Sequence, residues 1–164
     1  MTLGESLLAE FDHEMAVTRR VLDRVPDNAF GWKPHDKSYS LGELASHLAQ
    51  LPHWGTQILE RESYDLNTAG KRESKPSLQA VLETFDHYVM EVRRTLSRST
   101  DAELQAPWLL KRGTQVLMSV PRNSALRSFL ISHVIHHRGQ MTVYLRLQGV
   151  PLPPIYGPTA DEGM

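Results

Sequence analysis

The sequence predicts an all-α fold, a four-helix bundle, and three observations carry that prediction. Four long segments repeat apolar residues every three or four positions, the spacing of one helix face. Polar stretches interrupted by proline and glycine separate them. No stretch shows a strong strand alternation, and no internal repeat or low-complexity segment divides the chain, so residues 1–164 read as one domain.

The first helix is expected from about Leu3 to Val25, with Leu7, Leu8, Phe11, Met15, Thr18, Leu22 and Val25 on its inner stripe. Pro26 stops it, because proline lacks an amide and restricts the residue before it. Ser40 and Glu43 form a capping box that opens a second helix, running to about Glu60. Its stripe is Leu41, Leu44, His47, Leu48, Leu51, Trp54 and Ile58, and Pro52 within it predicts a kink or a break. Residues 61–76 read as a polar loop. The third helix is expected from about Ser77 to Arg98, on Leu78, Val81, Leu82, Phe85, Val89, Val92 and Leu96. Residues 99–121 read as a short hairpin or as irregular structure, with Arg112-Gly113 as the turn. The fourth helix spans about Asn123 to Gln148, with Leu126, Phe129, Leu130, His133, His137, Met141, Tyr144 and Leu145 on one face. Prolines keep the tail after Gly149 from being helical, and Leu152, Ile155 and Tyr156 are expected to pack it against the body. Spacing alone leaves the order of the helices around the bundle open.

Composition excludes several classes of function. The net charge is −1 and no basic run is present, which argues against a nucleic-acid partner. There is no apolar run long enough to span a bilayer and no signal-peptide pattern, so a cytoplasmic location without membrane contact is expected. The chain has no cysteine, which removes disulfides, thiolate ligands and a cysteine nucleophile. Any metal site must use His, Asp or Glu.

Histidine is the informative type. His133 and His137 are one turn apart, so their imidazoles can turn toward one point, and His47 occupies the inner stripe of the second helix. The alternative is three core histidines, each with its own hydrogen bonds. That alternative is costly, because every buried neutral imidazole needs a partner for one donor and one acceptor. One divalent ion satisfies three acceptors together and leaves the outer N–H groups for supporting contacts. His136 is rotated away from His137 and belongs at the rim of such a site or behind it. Gln140, three residues after His137, can touch it. His13 and His87 are expected in solvent, His35 lies in a loop, and His53 beside Pro52 has no clear placement. Glu14 reads as a solvated edge carboxylate and Arg138 as an interhelix or interface ion-pair group. Ile131, Val134 and Ile135 spread apolar character around the fourth helix, which suggests a homodimer contact there.

The motif Leu41-Gly42-Glu43-Leu44-Ala45-Ser46-His47-Leu48, preceded by Trp32-Lys33-Pro34, resembles the second-helix motif of the DinB/YfiT-like family. His133-Val134-Ile135-His136-His137-Arg138-Gly139-Gln140 resembles its fourth-helix motif, and Gly149-Val150-Pro151 with Pro154-Ile155-Tyr156-Gly157-Pro158 is similar to its C-terminal end. The resemblance implies a four-helix bundle with a divalent metal, nickel or zinc and in some members iron, held by His47, His133 and His137. It also implies a homodimer. It further implies a thiol-dependent S-transferase or isomerase acting on a small-molecule substrate with a low-molecular-weight thiol. The ligand count itself is that of a catalytic site with an open position. Such a position serves hydrolysis through bound water or transfer through a bound thiol. A bundle that holds a metal or small ligand without turnover is the competing class.

Overall fold

The computed structural model describes residues 1–70 and 73–163. The helices form close to where the spacing puts them. Helix α1 (Leu3–Leu22) opens on a capping box between Thr2 and Glu5, and ends three residues short of Val25. Helix α2 (Leu41–Gln50) opens on the Ser40–Glu43 box, whose hydroxyl accepts from the Glu43 amide. Pro52 divides the expected second helix, and α3 (His53–Glu60) follows after Leu51 and Pro52. Both junction residues keep right-handed helical backbone angles, and the Trp54 and Gly55 amides bond back to Leu51 and Pro52. The result is a tightened turn rather than a reversal. Helix α4 (Leu78–Leu96) is capped by Ser77.

The fold is not all-α. The two linkers contribute β1 (Ser63–Asp65), β2 (Pro107–Arg112) and β3 (Gln115–Pro121), which form a mixed sheet in the order β1-β2-β3. Strand β1 runs parallel to β2, and β2 runs antiparallel to β3 around a turn in which Gly113 takes φ +60°. The hairpin alternative for residues 99–121 is therefore the one realised, preceded by a short helix α5 (Asp101–Gln105); of the expected loop 61–76, residues 63–65 form β1, and residues 71 and 72 lie outside the described residues. Trp108 and Leu110 point inward with period two, and Trp108 is fully buried. The carboxylate of Asp65 accepts from the amides of Asn67 and Gly113, joining the end of β1 to the hairpin turn.

The last long helical stretch is composite: α6 (Arg122–Ala125), a π-helical segment (Leu126–Ile131) and α7 (Ser132–Leu147). A π turn takes about one residue more than an α turn, which changes the phase of the helix face. After the π segment the buried face is Ile131, Val134, Arg138, Met141 and Leu145. Ile131 and Val134 are thus core residues and not a surplus for dimerisation, while His133 and His137 rotate to the edge of the buried face and are half-buried.

Helix α1 packs against α4 and α7, and the α2–α3 pair also packs against α4 and α7. Helix α1 therefore stands diagonally opposite the α2–α3 pair, and α4 opposite α7, while the long connection from Pro26 to Ser40 crosses the end of the bundle. That connection is fastened by Leu41 N–H to Trp32 O, Gly42 N–H to Phe30 O, and an edge-to-face contact of Trp32 with Tyr144. Gly55 lets α3 approach closely: a Cβ there would lie 2.7 Å from a Val92 methyl and 3.0 Å from Leu130 Cδ2. Among the described residues no helix is long and apolar enough to cross a membrane.

Candidate metal centre

The seam between α2 and α7 is where the histidines meet. Leu44, Leu48 and Leu51 are buried, which fixes the rotation of α2 and turns His47 into the seam with 9% exposure. From α7, His133 and His137 reach the same point one turn apart. The Nε2 atoms of His47 and His137 are 3.0 Å apart, as are those of His133 and His137. All three residues offer a ligand nitrogen within 4.8 Å of the others. Their rings stand at 4.4, 4.8 and 5.3 Å between centroids.

Proton counting shows what this arrangement needs. Gln140 Oε1 lies 2.7 Å from His137 Nδ1 and can only accept, so Nδ1 carries the proton and Nε2 presents a lone pair. That single lone pair faces two other Nε2 atoms at 3.0 Å, and one in-plane lone pair cannot accept in line from both. A cation shared by the three nitrogens resolves the conflict. Tetrahedral ligands at about 2.0–2.1 Å from a metal stand about 3.3–3.4 Å from each other. The two 3.0 Å spacings are within a few tenths of an ångström of that and the third pair stays within 4.8 Å, so the donor set fits a divalent ion. Gln140 takes the supporting role, fixing the tautomer and the ring plane of His137.

The surroundings are asymmetric. On one side His47 and His133 form part of the wall of a cleft of about 490 Å³, between α2, α3, α4 and the β1 region. On the other side His47 borders a recess of about 90 Å³ with Tyr39, Glu43 and Ser46. The Glu43 carboxyl is held below its usual range, first by the Ser40 backbone N–H it accepts and then by nearby Lys33. His136 is exposed and stands edge-on to His137 at 4.8 Å, so it belongs to the rim. His13, His35 and His87 are exposed and lie outside the cluster.

One residue differs from its expected setting, and Arg138 makes the interhelix ion pair expected of it. Glu14 is buried, not solvated, because Arg138 reaches it from α7 at 2.7 Å. Arg138 Nη1 also donates to the Glu14 carbonyl and the Thr18 hydroxyl, and Nη2 donates to the Tyr156 hydroxyl at 2.6 Å. The pair is therefore an interhelix contact that also holds the C-terminal tail. His53, Gln57, Tyr64 and Tyr88 line the large cleft, and none of them stands out in the sequence. The only signal is the i, i+4 spacing of His53 and Gln57 after Pro52, which restarts the helix and turns both toward the cleft.

Residues 1–163 match the sequence model of the DinB family. The chain belongs to the DinB family. Among curated proteins it is similar to YrdA of Bacillus subtilis, with 26% identity over 162 residues covering 96% of this chain and 90% of YrdA. Among solved structures it is similar to a DinB-like protein from Bacillus cereus, with a TM-score of 0.72 and 23% identity over 94% of this chain and 98% of that one. A mycothiol-dependent maleylpyruvate isomerase shares the fold more distantly, with a TM-score of 0.57, 12% identity and coverage of 91% of this chain and 62% of the isomerase. Likenesses at these identities establish the fold.

Proposed function

We propose that this DinB-family protein is a metal-dependent enzyme that uses an ion held by His47, His133 and His137 to bring a low-molecular-weight thiol to a small organic substrate, in S-transfer or isomerisation. The observation that carries the reading is the convergence of three imidazole nitrogens at the wall of a 490 Å³ cleft. A closed structural site would have four protein ligands and no adjoining cavity. Three neutral imidazoles leave a bound divalent ion its full charge, which lowers the pKa of a thiol or water brought to it.

The protein's own residues do the rest. Gln140 holds the His137 N–H, so the ring keeps its lone pair inward. The aromatic and aliphatic lining, including Trp54, Tyr64 and Leu51, displaces water from the substrate's side of the site. The fold shared with a mycothiol-dependent isomerase favours a thiol over water as the partner. Nickel, zinc and iron all suit an all-imidazole set.

The test is a panel of thiols against electrophiles with protein loaded separately with nickel, zinc or ferrous iron. Turnover that needs both metal and thiol is the expected outcome. Turnover of esters or amides without thiol would replace transfer by hydrolysis. Metal binding without turnover of any kind would make the protein a binder.

A further inference from the structure

The large cleft holds a second set of chemistry beside the histidine cluster. His53, at the start of α3, is exposed at the cleft mouth, with its ring 4.8 Å from that of Tyr88. Its Nε2 lies 2.9 Å from the amide nitrogen of Gln57, one turn on. An amide nitrogen only donates, so His53 Nε2 accepts and the ring proton sits on Nδ1. Loss of water around the ring pushes the His53 pKa below the ordinary histidine value, against the pull of Glu91 and Glu60 and with Arg61 adding to the depression. Desolvation therefore favours the neutral imidazole, which keeps one N–H. Among the described residues, Nδ1 has no hydrogen-bond partner. Trp54 and Tyr64, 4.8 Å apart between ring centroids, add a further pair of aromatic rings to the lining.

We infer that the cleft binds a flat, aromatic or conjugated small molecule bearing a carbonyl oxygen, and that the Nδ1–H of His53 donates to that oxygen. Aromatic walls select a planar apolar body through offset and edge-on contacts. A neutral imidazole N–H stabilises a carbonyl oxygen, and more so one that gains negative charge when a nucleophile adds. The assignment rests on the proposed function only in taking the cleft as the place where substrate enters. His53 then fixes which end of the substrate faces His47 and His133, across the same cavity.

The test separates the two readings by leaving the metal out. Protein treated with EDTA is titrated to millimolar acetophenone and, separately, α-methylstyrene, which replaces the carbonyl oxygen by CH₂ at nearly the same shape. Binding is followed by chemical shifts of the indole and imidazole signals. Wild-type protein should prefer acetophenone by about threefold to tenfold, the value of one hydrogen bond. His53→Phe keeps a ring against Tyr88 and should bind both compounds alike, with α-methylstyrene unchanged from wild type. His53→Phe should also hold as much metal as wild type. Equal affinities in the wild type, a preference that survives His53→Phe, or shifts confined to residues outside the cleft would overturn the inference. Loss of metal in His53→Phe would do so too. A protein that discriminates the two compounds yet never shows metal-dependent turnover would keep this inference and sink the proposed function instead.

Discussion

Arg138 neighbours His137 in sequence and points the opposite way, into the core, where it is 1% exposed. Replacing it with methionine keeps the aliphatic bulk and removes the charge. Glu14, 6% exposed, would then face the interior without its cation, and the Tyr156 hydroxyl and Thr18 would each lose a donor. Breaking a buried ion pair from one side costs about 3–5 kcal/mol. At about 2–4 °C per kcal/mol for a chain of this size, the melting temperature should fall by about 6–20 °C. The companion variant Glu14→Leu should lose a similar amount. The double variant should lose clearly less than the sum, because neither charge is then stranded. Urea and thermal denaturation of the four proteins complete the cycle. Single variants each costing under about 1 kcal/mol, with additive effects, would show that the pair behaves as a solvated surface bridge and refute the reasoning.

Two further predictions concern the site and the sheet. Gln140→Leu should leave the bundle folded and weaken metal binding by about 10–100-fold, read by competition with a chelator, because His137 loses the acceptor that fixes its tautomer. The Asp65 carboxyl is held below its ordinary pKa by the amides of Gly113 and Asn67. Its stabilising contribution is therefore complete above the unfolded-state value of about 3.9 and is lost as pH falls through the lower folded-state value. Asp65→Asn should accordingly flatten the decline of the urea midpoint below about pH 4, and an unchanged acid limb would count against the role given to Asp65.

The helices were legible because their signals are local. The Ser40–Glu43 box and the period of Val81, Phe85, Val92 and Leu96 depend only on near neighbours in the chain. The sheet was legible only in part: Arg112-Gly113 marks the turn of its hairpin, but the signals of the strands are distributed. Strand β1 has three residues, too few to show a period, and exists only because β2 runs beside it about 45 residues later, Ser63 pairing with Leu109. In β2, Leu109 next to Trp108 and Leu110 hides the alternation that burial reveals. The π segment is a further case. Leu126–Ile131 reads as ordinary helix, yet its extra residue exchanges Ile131 and Val134 for Phe129 and His133 on the innermost face. Even so His133 and His137 meet His47, because the i, i+4 relation between them survives any rotation of the helix. Glu14 was misplaced for want of its partner, since burial of a carboxylate beside Arg138 depends on which helices are neighbours.

Metal content measured per chain bears most directly on the central claim. Protein purified without a nickel column, and each single alanine variant of His47, His133, His137, His13 and His87, would go to elemental analysis beside helical circular dichroism. About one ion per chain is expected in the wild type and in His13→Ala and His87→Ala. Loss of the ion is expected from His47→Ala, His133→Ala and His137→Ala with the helical spectrum retained, since a bound ion adds only about a few kcal/mol to a fold that its apolar core already holds. Full metal in His137→Ala, or its loss from His13→Ala, would contradict the account.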